Sequence, residues 1–451
     1  MSFTIDKQTI DDLNIFGKTG QKSIFNIYNN TKTYGGTLVL KDIFSYPLGD
    51  YKRIKDRSTT IDFFAKSDLS FDFETDLFNI VEEYLENNDS RTKLNKKESY
   101  FRRCINSVTG AKAAYQNIKT GVLSTIKIVE QISLFLSHNK LNSVKSHFQE
   151  LIAIENLLHD EDIKWIEKIK HKNRLSYKQI VELDERLRFN SSEKILRLLK
   201  YLYYIDVYIS IAKVTKERNF VSAEVINTTE NILEINNFYH PYVPKAIANS
   251  ISLDSNQNIV FLTGANMAGK STFMKSFGII VYLAHLGLPL PASSMRFSVK
   301  SGLYTTINLP DNINMGYSHF YADVLRVKKV AEHVSRQSNI VVIFDELFRG
   351  TNVKDAHDAT IAVTEAFSLN PRCTFMMSTH IIEAATELKK QCSNIKYIYL
   401  PTKIENGSPR YTYTIEEGVT ADRHGMIIIR NESIIELLQN GAKRIEQKKQ
   451  N

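Results

Sequence analysis

The run Gly264-Ala265-Asn266-Met267-Ala268-Gly269-Lys270-Ser271-Thr272 fits the pattern G-x-x-x-x-G-K-[ST]. It constrains the fold more than any other feature, because the pattern works only between a strand and a helix. Ile259–Thr263 reads as that strand, and Ser271 through Leu286 reads as that helix. In this setting the glycines let backbone N–H groups converge on phosphate oxygens. Lys270 brings a point charge to the β- and γ-phosphates, and Ser271 offers a hydroxyl to Mg²⁺. The helix N-terminus adds the positive end of its dipole. The bare pattern arises by chance in on the order of one chain in a hundred of this length, so the flanking strand and helix carry the assignment. ATP and Mg²⁺ are the expected ligands.

A second motif lies about 75 residues on. Ile340-Val-Val-Ile-Phe344-Asp345-Glu346 is an apolar strand ending in two acids. Asp345 is placed to hold Mg²⁺, directly or through water, and Glu346 to orient or deprotonate the attacking water. Alone, such a pair reads as the start of a solvated turn. A third run, Phe375-Met-Met-Ser378-Thr379-His380, ends in a histidine that either satisfies the surface or senses a γ-phosphate.

Around these motifs the chain changes character near residue 235. From about Ile61 to Lys216 apolar residues recur at three- and four-residue spacing and Gly and Pro are scarce, which predicts helices. Leu77, Ile80, Val81 and Tyr84 form one stripe; Leu123, Ile126, Ile128, Val129 and Ile132 form another. Ser192 and Glu193 open a helix carrying Ile195–Val214. After Phe238 come short β-rich runs, Ile259–Thr263, Ile340–Phe344, Phe375–Ser378 and Ile395–Leu400, several separated by helical patterns. The fold class expected is a mainly α N-terminal region plus a C-terminal α/β domain with a mostly parallel sheet. The expected divisions are 1–235, 236–430 and a charged tail, 431–451.

Composition excludes several classes. Of 451 residues, 43% are hydrophobic and 24% charged, which is ordinary for a globular chain and rules out collagen-like and largely disordered ones. Three cysteines are too few and too scattered for a disulfide framework or a four-ligand zinc site. The most apolar helix is interrupted by Arg197, Lys200, Asp206 and Lys213, which a membrane span tolerates badly. The N-terminal residues hold no apolar signal segment, so a cytoplasmic protein is expected. The formal charge of +8 favours a polyanionic partner, weakly.

As an ordered set, these motifs resemble the MutS family of DNA mismatch-repair ATPases. Thr263 to Thr272 is similar to the family's TGPNMGGKST. Asp345-Glu-Leu-Phe-Arg349-Gly350-Thr351-Asn352-Val-Lys-Asp355 is similar to its DEIGRGTSxxD. Ser318-His-Phe320-Tyr-Ala-Asp323 resembles STFMxE, and Ser378-Thr379-His380 resembles ATH. Tyr239-His240-Pro241 resembles the RHP that opens the ATPase domain, and Gly418 with Gly425-Met426 resembles its close. Ile27-Tyr28-Asn29 and Thr31 to Gly36, then Leu48, Ile54 and Arg57, resemble the start of the family's core domain. Asp206-Val207 through Val221 resembles the end of its last lever helix.

The resemblance implies an ABC-like P-loop ATPase domain behind a core and lever region, closing as a homodimer on DNA. It implies ATP and Mg²⁺ contacts at Gly264, Asn266, Gly269, Lys270, Ser271 and Thr272, metal assistance by Asp345, and water activation by Glu346. It places His380 on the γ-phosphate side and makes Ser318 a residue reaching across the dimer; the residues alone equally make Ser318 a helix N-cap. The core-like segment starts almost at Met1, so the mismatch-reading and connector domains are expected to be missing. Phe148-Gln149-Glu150 has the spelling of the family's Phe-x-Glu mismatch wedge but sits in a helical pattern and reads as packing. Ala268 replaces a family glycine, tolerable where φ is negative. Ala246 stands where the family has an aromatic against adenine. Two basic stretches, Arg91 to Arg103 with Tyr100 and Phe101, and His171 to Arg174, read as nucleic-acid contacts or as solvated faces. The expected partner is mismatched, branched or bent DNA; the alternative is a ribosome- or structured-RNA-associated remodelling ATPase.

Overall fold

The computed structural model describes residues 3–17, 22–94, 111–138, 141, 148–169, 175–307, 319–336, 339–348, 350–405, 408–420 and 433–440. In chain order the helices are α1 (Lys7–Asp12), α2 (Ile24–Tyr28), α3 (Tyr34–Ser45), α4 (Tyr51–Ser67), α5 (Asp76–Glu86), α6 (Ala111–Leu136), α7 (Gln149–His159), α8 (Tyr177–Asp184), α9 (Ser192–Arg218), α10 (Lys270–Leu286), α11 (His319–Arg336), α12 (Val353–Ser368) and α13 (Ile382–Gln391). The strands are β1 (Thr4–Ile5), β2 (Glu224–Ile226), β3 (Ile232–Phe238), β4 (Asn249–Asp254), β5 (Ile259–Gly264), β6 (Ser294–Ser298), β7 (Gly302–Thr306), β8 (Ile340–Asp345), β9 (Thr374–Ser378), β10 (Ile395–Leu400), β11 (Thr402–Glu405), β12 (Ser408–Tyr411) and β13 (Glu416–Glu417). Contacts divide the chain into two compact units, one from 27–45 with 60–214 and one from 1–26, 46–59 and 215–451. The division is discontinuous, unlike the single cut near residue 235 read from composition.

The first unit is helical. In α5 the buried residues are Phe78, Val81, Tyr84 and Leu85, so Val81 and Tyr84 of the expected stripe are buried while Leu77 and Ile80 are only half-buried and Phe78 and Leu85 join the core. In α6 Ile128, Val129 and Ile132 of the expected stripe are buried, while Leu123 at its start is exposed and Val122 is buried in its stead. Three helical turns fit several apolar stripes equally well, and tertiary contact decides which one is buried. Phe148 is buried with its ring 4.9 Å from that of Phe63, and Glu150 accepts from the Tyr208 hydroxyl at 2.8 Å. The Phe-x-Glu spelling is therefore packing. A fully buried ion pair joins Arg188 to Asp184 at 2.6 Å, and Tyr84 donates to the same carboxylate at 2.8 Å. Arg188 also donates to the Asn87 carbonyl at 2.7 Å and to the Thr92 hydroxyl at 2.8 Å.

The second unit is built on a seven-stranded sheet of order β1-β7-β8-β9-β5-β10-β13. Every neighbouring pair is parallel except β10 with β13. The inner strands β5, β8 and β9 are near-continuous apolar runs because both faces are covered. On one face Phe261, Val342, Phe344, Phe375 and Met377 pack with Val330 of α11, Phe367 of α12 and Leu388 of α13. On the other face lies α10. There Gly278 permits close approach: a Cβ would lie 2.8 Å from Leu13 and 3.1 Å from Ile343. A four-stranded sheet, β2-β6-β3-β4, belongs to the same unit. Among the described residues no helix is long and apolar enough to cross a membrane.

The N-terminal segment is stitched to the edge of the large sheet. β1 pairs with β7 from Thr4↔Gly302 to Ile5↔Leu303. Asp12, buried, accepts from the Thr305 hydroxyl at 2.7 Å and the Ile307 N–H at 2.9 Å. Arg326 on α11 pairs with Asp6, and that partner holds the Asp6 carboxyl far below the usual carboxylate range despite its burial.

Candidate active site

The site is built at the carboxyl ends of the parallel strands, where side chains from adjacent strands converge. β5 ends at Gly264 with φ +148°, and the loop that follows holds Met267 at +68° and Gly269 at +102°. Gly269 then caps α10, with no side chain to bond the first turn. A left-handed capping residue here favours glycine. Ala268 is buried and is not among the positive-φ residues, so its methyl is accommodated.

Lys270 opens α10 with its side chain almost wholly buried. Its ammonium donates to the carbonyls of Gly264 at 2.9 Å and Ala265 at 3.2 Å. Burial pushes its pKa down from the usual lysine value, and the nearby Glu346 and Asp345 carboxylates partly oppose this. The Glu346 carboxylate lies 3.9 Å from the ammonium. An anion entering the loop would add negative charge beside this lysine and draw it off the two carbonyls.

The carboxylates come from β8. Ser271 donates to one Asp345 oxygen at 2.6 Å, and Ser378 donates to the other. Glu346 follows at φ +52°, which turns the chain out of the strand. Its N–H is shared between the Ser378 carbonyl at 3.1 Å and the Ser378 hydroxyl at 3.2 Å. His380 Nε2–H donates to the Glu346 carboxylate at 2.6 Å. Lys270, Ser271, Asp345, Glu346 and His380, read from three separate sequence motifs, are thus brought together.

Two oxygen donors, the Ser271 hydroxyl and the Asp345 carboxylate, meet at a helix N-terminus, a donor set that suits a hard cation such as Mg²⁺ completed by phosphate and water. Among the described residues no group of three or more His, Cys, Asp or Glu side chains is arranged to hold a metal by itself.

Four supporting residues carry roles that the sequence does not assign them. Asp323, buried on α11, accepts the Phe348 N–H at 3.0 Å and so holds the turn after Glu346, where Phe348 sits at φ +64°. Tyr413 lies over Gly269, where a Cβ would meet its ring at 3.0 Å. The Asn249 side chain ties that tyrosine in place, donating to the Tyr413 carbonyl at 2.9 Å and accepting the Ile415 N–H at 2.8 Å. Ser378 stands in the triplet Ser378-Thr379-His380, which gives no sign of the two bonds its hydroxyl makes.

Ser318 and Arg349 lie outside the described residues, as do 95–110 and 170–174, which hold most of both basic stretches. Of the described basic residues, Arg91 pairs with Asp89, and Lys93 lies 4.3 Å from the Phe189 ring centroid.

The class defined here has one helical unit and one unit on a mostly parallel sheet with a glycine-rich loop and two carboxylates at its carboxyl edge. Comparison with known families places it further. Residues 8–212 match the model described as MutS domain III, and residues 260–448 match MutS domain V. The chain belongs to the MutS family. It is similar to the DNA mismatch repair protein MutS of Listeria monocytogenes serotype 4b (strain CLIP80459), 28% identical over 313 residues, covering 66% of this chain and 35% of that protein. The protein of the same name from Wolbachia pipientis wMel is 29% identical over 357 residues, covering 77% and 39%. That from Clostridioides difficile (strain 630) is 30% identical over 256 residues, covering 55% and 26%. The match thus spans well under half the length of each of these relatives.

Proposed function

We propose that this chain binds and hydrolyses ATP with Mg²⁺ and that the nucleotide gates its grip on DNA as a homodimer. One observation carries the ATPase reading: the unbroken chain of hydrogen bonds from Ser271 through Asp345 and Ser378 to Glu346 and His380, beside the buried Lys270 ammonium. In this reading the loop from Gly264 to Thr272 wraps the phosphates, and Lys270 exchanges its two carbonyl partners for β- and γ-phosphate oxygens. Ser271 and Asp345 would hold Mg²⁺. When bound, the ion neutralises charge building between the β- and γ-phosphates. Glu346 orients the attacking water and takes its proton, and His380 keeps that carboxylate aimed at the γ-phosphate side. Tyr413 offers its ring to the nucleoside beyond Gly269.

The DNA and dimer parts rest on family membership, the names of the relatives and the net charge of +8. A mismatch-repair-type role is the favoured one.

The test has two arms. Phosphate release is measured for wild type, Lys270→Ala and Glu346→Gln. A wild type no faster than either variant refutes the ATPase reading. Binding is then measured to matched duplex, a single mismatch, a four-way junction, single strand and structured RNA, with and without ATP, across a salt series. ATP-modulated preference for mismatched or branched DNA supports the proposal. Preference for RNA moves the function to structured RNA.

A further inference from the structure

The Ser378 hydroxyl sits where two working groups meet. It is 3% exposed, at the end of β9, directly beside Asp345 in the parallel register. The family spelling resembled here, ATH, has alanine at this place and so no hydroxyl. In this chain the hydroxyl donates to one Asp345 oxygen and accepts the Glu346 N–H at 3.2 Å.

The terminal torsion of aspartate is soft, so a carboxylate plane is set by its hydrogen-bond partners. Asp345 has two hydroxyl partners from different elements. Ser271 on α10 takes one oxygen at 2.6 Å, and Ser378 on β9 takes the other. Ser271 is also a candidate metal ligand, so its bond to Asp345 is the one that must adapt when a cation arrives. The Ser378 bond has no such second duty. The same hydroxyl helps hold Glu346 at φ +52°, a left-handed conformation that costs a non-glycine residue energy and persists only when its surroundings enforce it.

We infer that Ser378 is a positioning residue that orients the Asp345 carboxylate for the divalent cation and locks the turn carrying Glu346. The inference rests on the ATPase reading above and adds to it a residue that acts through Asp345 and Glu346.

The test separates metal from nucleotide. Affinity for a fluorescent ATP analogue is measured in EDTA and across a Mg²⁺ series for wild type, Ser378→Ala and Ser378→Thr, with thermal melting of each. Loss of a hydrogen-bond partner behind a metal ligand weakens the metal by about tenfold or more. Ser378→Ala should therefore need about tenfold more Mg²⁺ to reach its half-maximal effect, while its affinity in EDTA stays within about twofold of wild type. Ser378→Thr keeps the hydroxyl and should restore most of the Mg²⁺ response. A Ser378→Ala protein with the wild-type Mg²⁺ midpoint overturns the inference. So does one that loses EDTA affinity and Mg²⁺ affinity by the same factor, which marks general damage. A wild type that binds no nucleotide overturns the ATPase reading and this inference with it; a responsive wild type matched by Ser378→Ala overturns the inference alone.

Discussion

His285 makes the stability of the sheet-bearing unit depend on pH in a calculable way. Its imidazole is fully buried on α10, with ring centroids 4.5 Å from Phe3 and 5.1 Å from Phe297. The Lys300 N–H donates to Nε2 at 2.9 Å, so the ring proton is on Nδ1 and donates to the Val281 carbonyl at 2.7 Å. Protonating Nε2 would remove the acceptor and set a charge among aromatic rings. Burial accordingly pushes the pKa from 6.5 down to about 3. The unfolded chain takes the proton near pH 6.5, and the folded chain refuses it until about 3. Between those values the unfolded state binds more protons, so stability falls as pH falls, by about 1.4 kcal/mol per unit. From pH 6.5 to 4.5 the loss from this residue is about 2 to 3 kcal/mol. Lys300, pushed down to about 7 by burial, contributes its slope between pH 7 and 10.5 and leaves this window clear. Asp6 acts below the window, because its contribution is lost only under the ordinary carboxylate range. His240 and His333 are also lowered and share the sign, so the comparison must be with a variant. His285→Gln keeps one donor and one acceptor without a titrating charge. Urea midpoints are read by pulsed hydrogen exchange on peptides of α10 after equilibration at pH 6.5, 5.5 and 4.5. The wild type should lose about 2 kcal/mol more than the variant across this range. Equal slopes for the two proteins would refute the reasoning.

Three other substitutions have defined outcomes. Asp323→Ala leaves the Phe348 N–H without its acceptor, at a cost of about 1–3 kcal/mol, and frees the turn after Glu346; steady-state phosphate release should fall by roughly tenfold to a hundredfold, with KM for ATP unchanged and Asp323→Asn partly restored. Tyr413→Ala removes the ring over Gly269 and should weaken nucleotide binding by about 1–2 kcal/mol, with the turnover of bound ATP unchanged in single-turnover assays. Arg188→Met strips the buried partner from Asp184 in the helical unit and should cost about 3–5 kcal/mol in urea unfolding followed by Trp165 fluorescence.

What was legible in the sequence follows the strength of local patterns. The strands read as Ile259–Thr263, Ile340–Phe344 and Phe375–Ser378 match β5, β8 and β9 to within a residue at each end. Strands covered on both faces are apolar throughout, so their runs are unmistakable. β1 is two residues long and carries no alternation to detect; Thr4 is held by the Ser301 carbonyl, almost 300 residues away. The expected helix stripes hold at Val81, Tyr84, Ile128, Val129 and Ile132 but miss Phe78 and include the exposed Leu123, because spacing gives the period and packing settles the edges of the face. The long helix starts at Ser192, as expected, but runs on to Arg218. In the site, Lys270, Ser271, Asp345, Glu346 and His380 were legible from motifs whose chemistry demands those residue types. The roles of Ser378, Asp323 and Tyr413 were not, because they come from strand register, a helix packed against a turn, and a ring lying over a glycine.

Register explains how so few residues assemble the site. Leu262 on β5 stands beside Ser378 on β9, and Ser378 stands beside Asp345 on β8. These parallel strands end level, so the loop after β5 and the two acids after β8 share one edge. A slip of one residue between β8 and β9 would turn Asp345 to the opposite face and break both of its hydroxyl bonds. The same edge gathers the unusual backbone: Gly264, Met267, Gly269, Glu346 and Phe348 all have positive φ. Such conformations cost about 1–3 kcal/mol each for residues other than glycine, so the surrounding bonds must hold them. Glu346 is held by Ser378 and Phe348 by Asp323, two residues that stand in the motifs without their supporting bonds being legible there. The Glu346 carboxylate is therefore aimed by a left-handed turn held by two buried acceptors, and if the proposed ATPase reading holds, removing either acceptor should disturb turnover before it disturbs the fold.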